Sequence, residues 1–251
     1  MSKSDFFIGW SAETPKSDRR AFLAGGLVLT AGAAGGGVLL ASQQNPPGPG
    51  DWNQGDVREF TGIVTAEPYA FLQTRDVDGS PKIVPLACLG KCGVAAKIGS
   101  FAGQAVTVTG SPIKRGPYAM IAVIDGLDWI KSAPETTDVS DLAFPSAASL
   151  GNVSLNGMVV DTKCWFGAMR PNVGKVHKSC AALCVRGGLP PAFLAKDKRG
   201  REALMIMTQS GGAHGEDLLP YLADPVAIQA ELRTWGDIYL LDGPVSSIKR
   251  I

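Results

Sequence analysis

Two segments of this chain, residues 106–121 and 226–241, carry the same pattern 120 positions apart. Each contains a run in which apolar and other residues alternate, a glycine at the same relative position (Gly116 and Gly236) and a second apolar run. Alternation with a period of two is typical of a half-buried β-strand, and a glycine between two such runs predicts a hairpin. The sequence therefore predicts a β-unit that occurs twice.

The two units also begin alike, but at a different distance. Residues 62–64 resemble residues 157–160 at an offset of 95 positions. The difference between the two offsets places about 25 additional residues in the second unit, near residues 164–191. We therefore predict a mainly β fold with two related small OB-like β-barrels in tandem and a helical insertion in the second. Another type of small barrel and a sandwich are the alternatives.

Composition shifts divide the chain into segments. Residues 43–55 have the proline- and glycine-rich composition of a linker, and residues 132–152 form a second polar stretch. The formal net charge of +1 argues against a nucleic-acid partner bound through its phosphates. The predicted organisation is a cytoplasmic region at 1–20, a transmembrane helix at 21–42, a linker at 43–56, a first barrel at 57–131, a second linker at 132–152, and a second barrel at 153–251 with its insertion at 161–191.

The insertion concentrates the side chains that bind soft and borderline metals. It contains Cys164, His177, Cys180 and Cys184, which are three of the five cysteines and one of the two histidines. Three sulfurs and one nitrogen suit a tetrahedral site. The spacing matches neither a zinc finger nor a haem attachment motif. These four residues are the predicted ligands of a metal ion, zinc among the candidates, or of an iron–sulfur cluster.

The same cysteines also allow a structural interpretation. In an oxidising compartment, Cys180 with Cys184, or Cys164 with either, would form a disulfide that closes a compact loop. A helix is predicted over residues 176–185, because Gly187 and Gly188 followed by two prolines form a strong stop signal. On that helix His177, Cys180 and Cys184 share one face, and Cys164 would approach them across the loop at 167–174.

Residues around these cysteines have simpler interpretations. Cys88 and Cys92 are expected to form a local disulfide or two free thiols. Trp165 and Phe166 are expected to shield the site, whereas Asp161 and Lys163 are expected to be solvated residues at the end of a strand. Thioethers bind Cu(I), but core packing is favoured for the methionines of the apolar run at 203–207. Methionines considered for copper binding are Met158, Met169, Met205 and Met207.

The N-terminal region resembles the twin-arginine export signal. Arg19 and Arg20 are followed by Phe22 and Leu23, although Asp18 separates the arginines from the preceding serine, and a charge-free stretch extends to residue 50. The resemblance implies export of a folded protein, often one that received a cofactor in the cytoplasm. Residues 21–41 are long enough to span a bilayer, which favours a retained anchor in the inner membrane with the barrels on the periplasmic side.

The Cys/His block, together with the Gly-Gly-x-Pro-Pro that follows it, resembles one carried by uncharacterised exported bacterial proteins. That resemblance implies no activity. Motifs for serine hydrolases, zinc proteases, phosphate loops and dinucleotide binding are absent from the sequence, so whether the chain is an enzyme stays open. Two functions are predicted: an accessory subunit of a respiratory or redox complex that holds a metal or iron–sulfur centre, or a non-catalytic adaptor whose cysteines form structural disulfides. A third, a periplasmic thiol oxidoreductase, is disfavoured because the sequence has no Cys-x-x-Cys.

Overall fold

A computed structural model describes residues 16–43, 50–124, 126, 128–196 and 202–251. The chain divides into two units, at residues 1–46 and 47–251. The first unit contains helix α1 (Lys16–Gln43). Over the described residues, no helix has both the length and the apolar character that a membrane span needs. Most of the predicted cytoplasmic region (1–15) and part of the first linker (44–49) lie outside the described residues.

The first half of the second unit is a five-stranded barrel. The elements are β1 (Asp51–Trp52), β2 (Arg58–Thr65), β3 (Phe71–Arg75), β4 (Pro81–Ala87), α2 (Ala95–Ile98), β5 (Ala105–Arg115), β6 (Tyr118–Val123) and β7 (Ile130–Ser132). Strands β2, β3, β4, β6 and β5 pair in that order, and β5 returns to β2, so that the ring is closed. Strands β4 and β6 are parallel, and the other pairs of the ring are antiparallel.

The second half is a barrel with the same strand order. The elements are β8 (Ala148–Asp161), α3 (Lys178–Arg186), β9 (Pro191–Lys196), β10 (Glu202–Thr208), β11 (Pro225–Trp235), β12 (Ile238–Asp242) and β13 (Lys249–Arg250). Strands β8, β9, β10, β12 and β11 form the ring, β11 returns to β8, and β10 and β12 are again the parallel pair. Strand β8 begins within the stretch predicted as the second linker.

The repeated glycines occupy equivalent places in the two barrels. Gly116 and Gly236 have φ angles of 56° and 58° in the turns β5–β6 and β11–β12. This left-handed conformation favours glycine because it has no Cβ. A Cβ at Gly62 would lie 2.0 Å from the carbonyl oxygen of Gln73, and one at Gly157 would lie 2.4 Å from that of Leu194. The mainly β fold and the two barrels are confirmed.

The additional residues of the second barrel lie between β8 and β9. They form a π-helical turn (Cys164–Ala168), a 3₁₀ turn (Lys175–His177) and α3. The equivalent connection in the first barrel spans only residues 66–70. Helix α3 starts two residues later than predicted because the 3₁₀ turn occupies its expected first residues. It ends where the glycines predict, with Gly188 at a φ of 90°.

The insertion contributes to the core that joins the two barrels. Each barrel has its own buried cluster, and a third cluster combines side chains of both barrels with Trp165 and Phe166 of the π-helical turn. The segment between the barrels packs on the same core, because Phe144 stacks on Trp235 with ring centroids 5.1 Å apart. Cys164 and Cys184 belong to this cluster, so the Cys/His block lies against the junction of the barrels.

Candidate metal centre

Three thiols converge at the junction of the barrels. Cys164 lies in the π-helical turn, and Cys180 and Cys184 lie on successive turns of α3. Their sulfur atoms all lie within 4.8 Å of one another. All three cysteines are free thiols; Cys164 and Cys184 are buried and Cys180 is half-buried. The structure thus brings together the three sulfur atoms that the sequence predicted as ligands.

The spacing of the sulfurs suits a single bound ion better than a disulfide. The Sγ atoms of Cys164 and Cys180 are 3.7 Å apart. A disulfide would require about 2.05 Å. Sulfurs bound to one ion at about 2.3 Å in tetrahedral geometry lie about 3.8 Å apart.

His177 lies beside the thiols in a second, overlapping group. Its Nε2 is 2.8 Å from Oδ2 of Asp161, and Oδ1 of Asp161 accepts a hydrogen bond of 2.8 Å from the backbone N–H of Cys164. Asp161, Cys164 and His177 lie within 4.8 Å of one another. Cys164 is therefore common to both groups. The four predicted ligands do not form one mutual group, because His177 does not come within 4.8 Å of all three sulfurs.

The expectation that Asp161 and Lys163 are solvated is wrong. Asp161 is completely buried and Lys163 is 3 % exposed. The Nζ of Lys163 donates to three successive backbone carbonyls of the first barrel, at 2.5 Å to Cys88, 2.8 Å to Leu89 and 2.7 Å to Gly90. Burial lowers the pKa of Lys163 to about 8, so the ammonium form still predominates at pH 7.

The loop that Lys163 holds is closed by a disulfide and abuts helix α3. Cys88 and Cys92 are disulfide-bonded, which is one of the two expected states. The N–H of Gly93 donates to the carbonyl of Gly187 at 2.8 Å, just beyond the end of α3. From the same loop, Nζ of Lys91 donates to Sγ of Cys180 at 3.1 Å, and this hydrogen bond raises the pKa of Lys91. The first barrel therefore supplies part of the surroundings of the thiols.

Two aromatic side chains that follow Cys164 belong to the same core cluster as the buried thiols. Trp165 and Phe166 are both buried. The guanidinium of Arg115 lies 4.2 Å from the centroid of the Trp165 ring, and its Nη1 donates to the Trp165 carbonyl at 3.0 Å. Glu202 pairs with Arg115 at 3.1 Å. These contacts join the π-helical turn to strand β5 and, through Glu202, to strand β10.

The surroundings of Cys164 favour its neutral thiol. The hydrogen bond with Cys184, together with burial, raises the pKa of the Cys164 thiol far above its usual range. A bound ion requires thiolates, so binding would displace that proton. Lys163 and Lys91 lie close enough to offset the negative charge that the thiolates would acquire.

The outer side of the site is open. Cys180 is half-buried, and Sδ of Met169 lies 3.3 Å from its Sγ. Met205 and Met207 are buried in the core of the second barrel, as predicted. Sequence reasoning singled out Met169 only as one of four methionines and missed the structural roles of Lys91 and Lys163. Asp161, three residues before Cys164, had one local signal, because Asp at this spacing commonly accepts from a backbone N–H at the start of a helical turn.

No protein-family model, curated protein or solved structure matches this chain.

Proposed function

We propose that this chain holds a metal ion through Cys164, Cys180 and Cys184, as a periplasmic accessory subunit of a respiratory or redox complex. The single observation that supports metal binding is the mutual approach of three unpaired sulfurs at ligand spacing. Three free thiols this close together would tend to oxidise outside the cytoplasm. A bound ion would protect them, which is consistent with export of an already folded, loaded protein.

The metal proposal predicts about one ion per chain in the full-length protein purified without oxygen. Cys180→Ser should remove the ion, because a neutral hydroxyl replaces the thiolate on the open side of the site. Mass-spectrometric metal analysis, combined with thiol alkylation, measures both the ion and the oxidation state of the sulfurs. Ser179→Ala is the matched control, since Ser179 precedes Cys180 on α3 and is exposed.

The same experiment distinguishes the alternative function. A protein without metal, in which two of the three cysteines resist alkylation until they are reduced, would contradict the proposal and support the adaptor. The Cys88–Cys92 disulfide supports this alternative, because the chain already contains one disulfide that closes a local loop. An iron–sulfur absorption band or electron paramagnetic resonance signal would show that the site holds a cluster instead of a single ion.

The tandem barrels support the accessory role. We infer that both are OB-like and related, because they share one strand order, one parallel pair and turn glycines 120 positions apart. OB folds commonly present binding surfaces on one sheet face and its loops. A protein partner would reach the metal site from the side of Cys180, where the sulfur is partly accessible.

Export by the twin-arginine route is a separate prediction. Replacing both Arg19 and Arg20 with lysine keeps the charge but removes the paired guanidinium groups of the signal. We expect the protein to accumulate in the cytoplasm, as measured by cell fractionation and immunoblotting. Lys16→Arg, an equally charge-conserving change nearby, should leave export unaffected. Normal export of the double lysine variant would remove the argument for loading in the cytoplasm.

A further inference from the structure

Met169 differs from the methionines of the barrel cores. Its side chain is 40 % exposed, yet its sulfur contacts the sulfur of Cys180 at 3.3 Å. Met120, Met205 and Met207 are buried among apolar side chains. An exposed methionine at a thiol cluster gains little from apolar burial, so its position has to be explained by what the sulfur contacts.

The backbone around Met169 is held in place by the start of the first barrel. Gly167 has a φ of 144°, a conformation that favours glycine, and a Cβ there would lie 2.6 Å from the backbone nitrogen of Asp51. Arg170, on the other side of Met169, donates to the carbonyl of Gly50. The segment is thus fixed on both sides of the methionine. Its thioether is therefore presented to Cys180 by a constrained turn.

The chemistry of the surrounding groups decides which ligand is the fourth. His177 comes within 4.8 Å of Asp161 and Cys164 but does not belong to the group of three sulfurs, and its Nε2 contacts Asp161 at 2.8 Å. Zinc takes its ligands from cysteine, histidine and carboxylates, whereas thiolates and thioethers together select Cu(I). The geometry points to Met169 as the fourth ligand, so that the site consists of four sulfurs and takes a soft monovalent ion of the Cu(I) type. This inference rests on the proposed metal-binding function.

The position of the thioether also indicates how the ion reaches the site. Cys164 and Cys184 form the buried inner side, whereas Cys180 and Met169 face outwards. An ion would first meet the thioether and the half-buried thiol. A thioether carries no charge, so its bond to the ion is the one most readily exchanged for a ligand from a partner. The arrangement therefore suits an ion that is passed on, as well as one that is held.

The test compares Met169→Leu with wild type in the full-length protein, without oxygen. The probes are Cu(I), measured by competition with a chromophoric Cu(I) chelator, and Zn(II), measured in the same way with a zinc indicator. We expect Met169→Leu to weaken Cu(I) binding on the order of tenfold or more and to leave Zn(II) binding nearly unchanged. X-ray absorption should count four sulfurs around Cu(I) in wild type and three in the variant.

Met207→Leu is the matched control, because it exchanges a fully buried methionine that belongs to a different core cluster from Cys164 and Cys184. Unchanged Cu(I) affinity in Met169→Leu, or a nitrogen in the coordination shell that His177→Gln removes, would overturn the inference while leaving the proposed metal function intact. Failure of the wild-type protein to bind either ion would instead overturn both. Unchanged thermal unfolding of Met169→Leu verifies that the variant is folded.

Discussion

Lys163→Met is expected to lower the free energy of unfolding by about 3–5 kcal/mol. The ammonium of Lys163 is the donor to three backbone carbonyls of the disulfide loop, in a place that is almost closed to water. Methionine fills a similar volume but donates nothing. Each carbonyl that stays buried without a donor costs about 1–3 kcal/mol, partly relieved if water enters. The effect should appear in denaturant unfolding as a lower midpoint with an unchanged slope.

Lys131→Met provides the control for this prediction. Lys131 pairs with Glu59 on the surface, where both side chains are 59 % exposed. Exposed ion pairs contribute little, so that variant should unfold nearly as wild type does. A loss of less than 1 kcal/mol in Lys163→Met would show that the loop carbonyls find other donors. The contact between Lys91 and Cys180 provides a second measurement, because a displaced loop should make Cys180 react faster with alkylating agents.

Asp161→Ala is the second large expected effect, with a loss of about 3–5 kcal/mol in unfolding free energy. The carboxylate is completely buried, and it accepts from the N–H of Cys164 and pairs with His177. Alanine leaves both partners without an acceptor. Asp161→Asn is the matched variant and should lose less, because its amide oxygen still accepts a hydrogen bond.

A double-mutant cycle of Asp161→Ala with His177→Gln separates the interaction energy of this pair from the effects of the two single changes on unfolding. We expect a coupling energy above about 1 kcal/mol, since the two side chains are in direct contact. Metal content should stay near one ion per chain in folded His177→Gln if the imidazole serves to hold Asp161. Independent, additive effects of the two changes would contradict the pairing. Loss of metal from a folded His177→Gln protein would establish His177 as a ligand, as the sequence predicted.

Much of the fold could be predicted because its signals are local. Alternating apolar residues mark strands, and Gly116 and Gly236 occupy turns that need a left-handed backbone, so the repeat was visible without coordinates. The stop of α3 at Gly187 and Gly188 was equally local. The start of α3 was misplaced because residues 175–177 form a 3₁₀ turn, and the choice between these two helical forms depends on packing.

The candidate site could be predicted only in part. Cys164, Cys180 and Cys184 were identifiable from residue chemistry and helical spacing, since two of them lie on one short helix. Their position relative to Lys91, which lies 89 residues from Cys180 in the sequence, depends on how the two barrels pack. The preference between His177 and Met169 could not be predicted, because it depends on how far each side chain lies from the three sulfurs.

The sequence by itself determined two β-units, an insertion rich in cysteine and the candidate ligands, because side-chain type and local periodicity carry that information. Only the tertiary structure decided that Lys163 and Asp161 are buried and that Met169 contacts a thiol. Burial and contact depend on residues far apart in the chain: Lys163 and the carbonyl of Cys88 are separated by 75 positions. No local pattern of residues specifies such a pair, because it forms only when the first barrel packs against the insertion of the second.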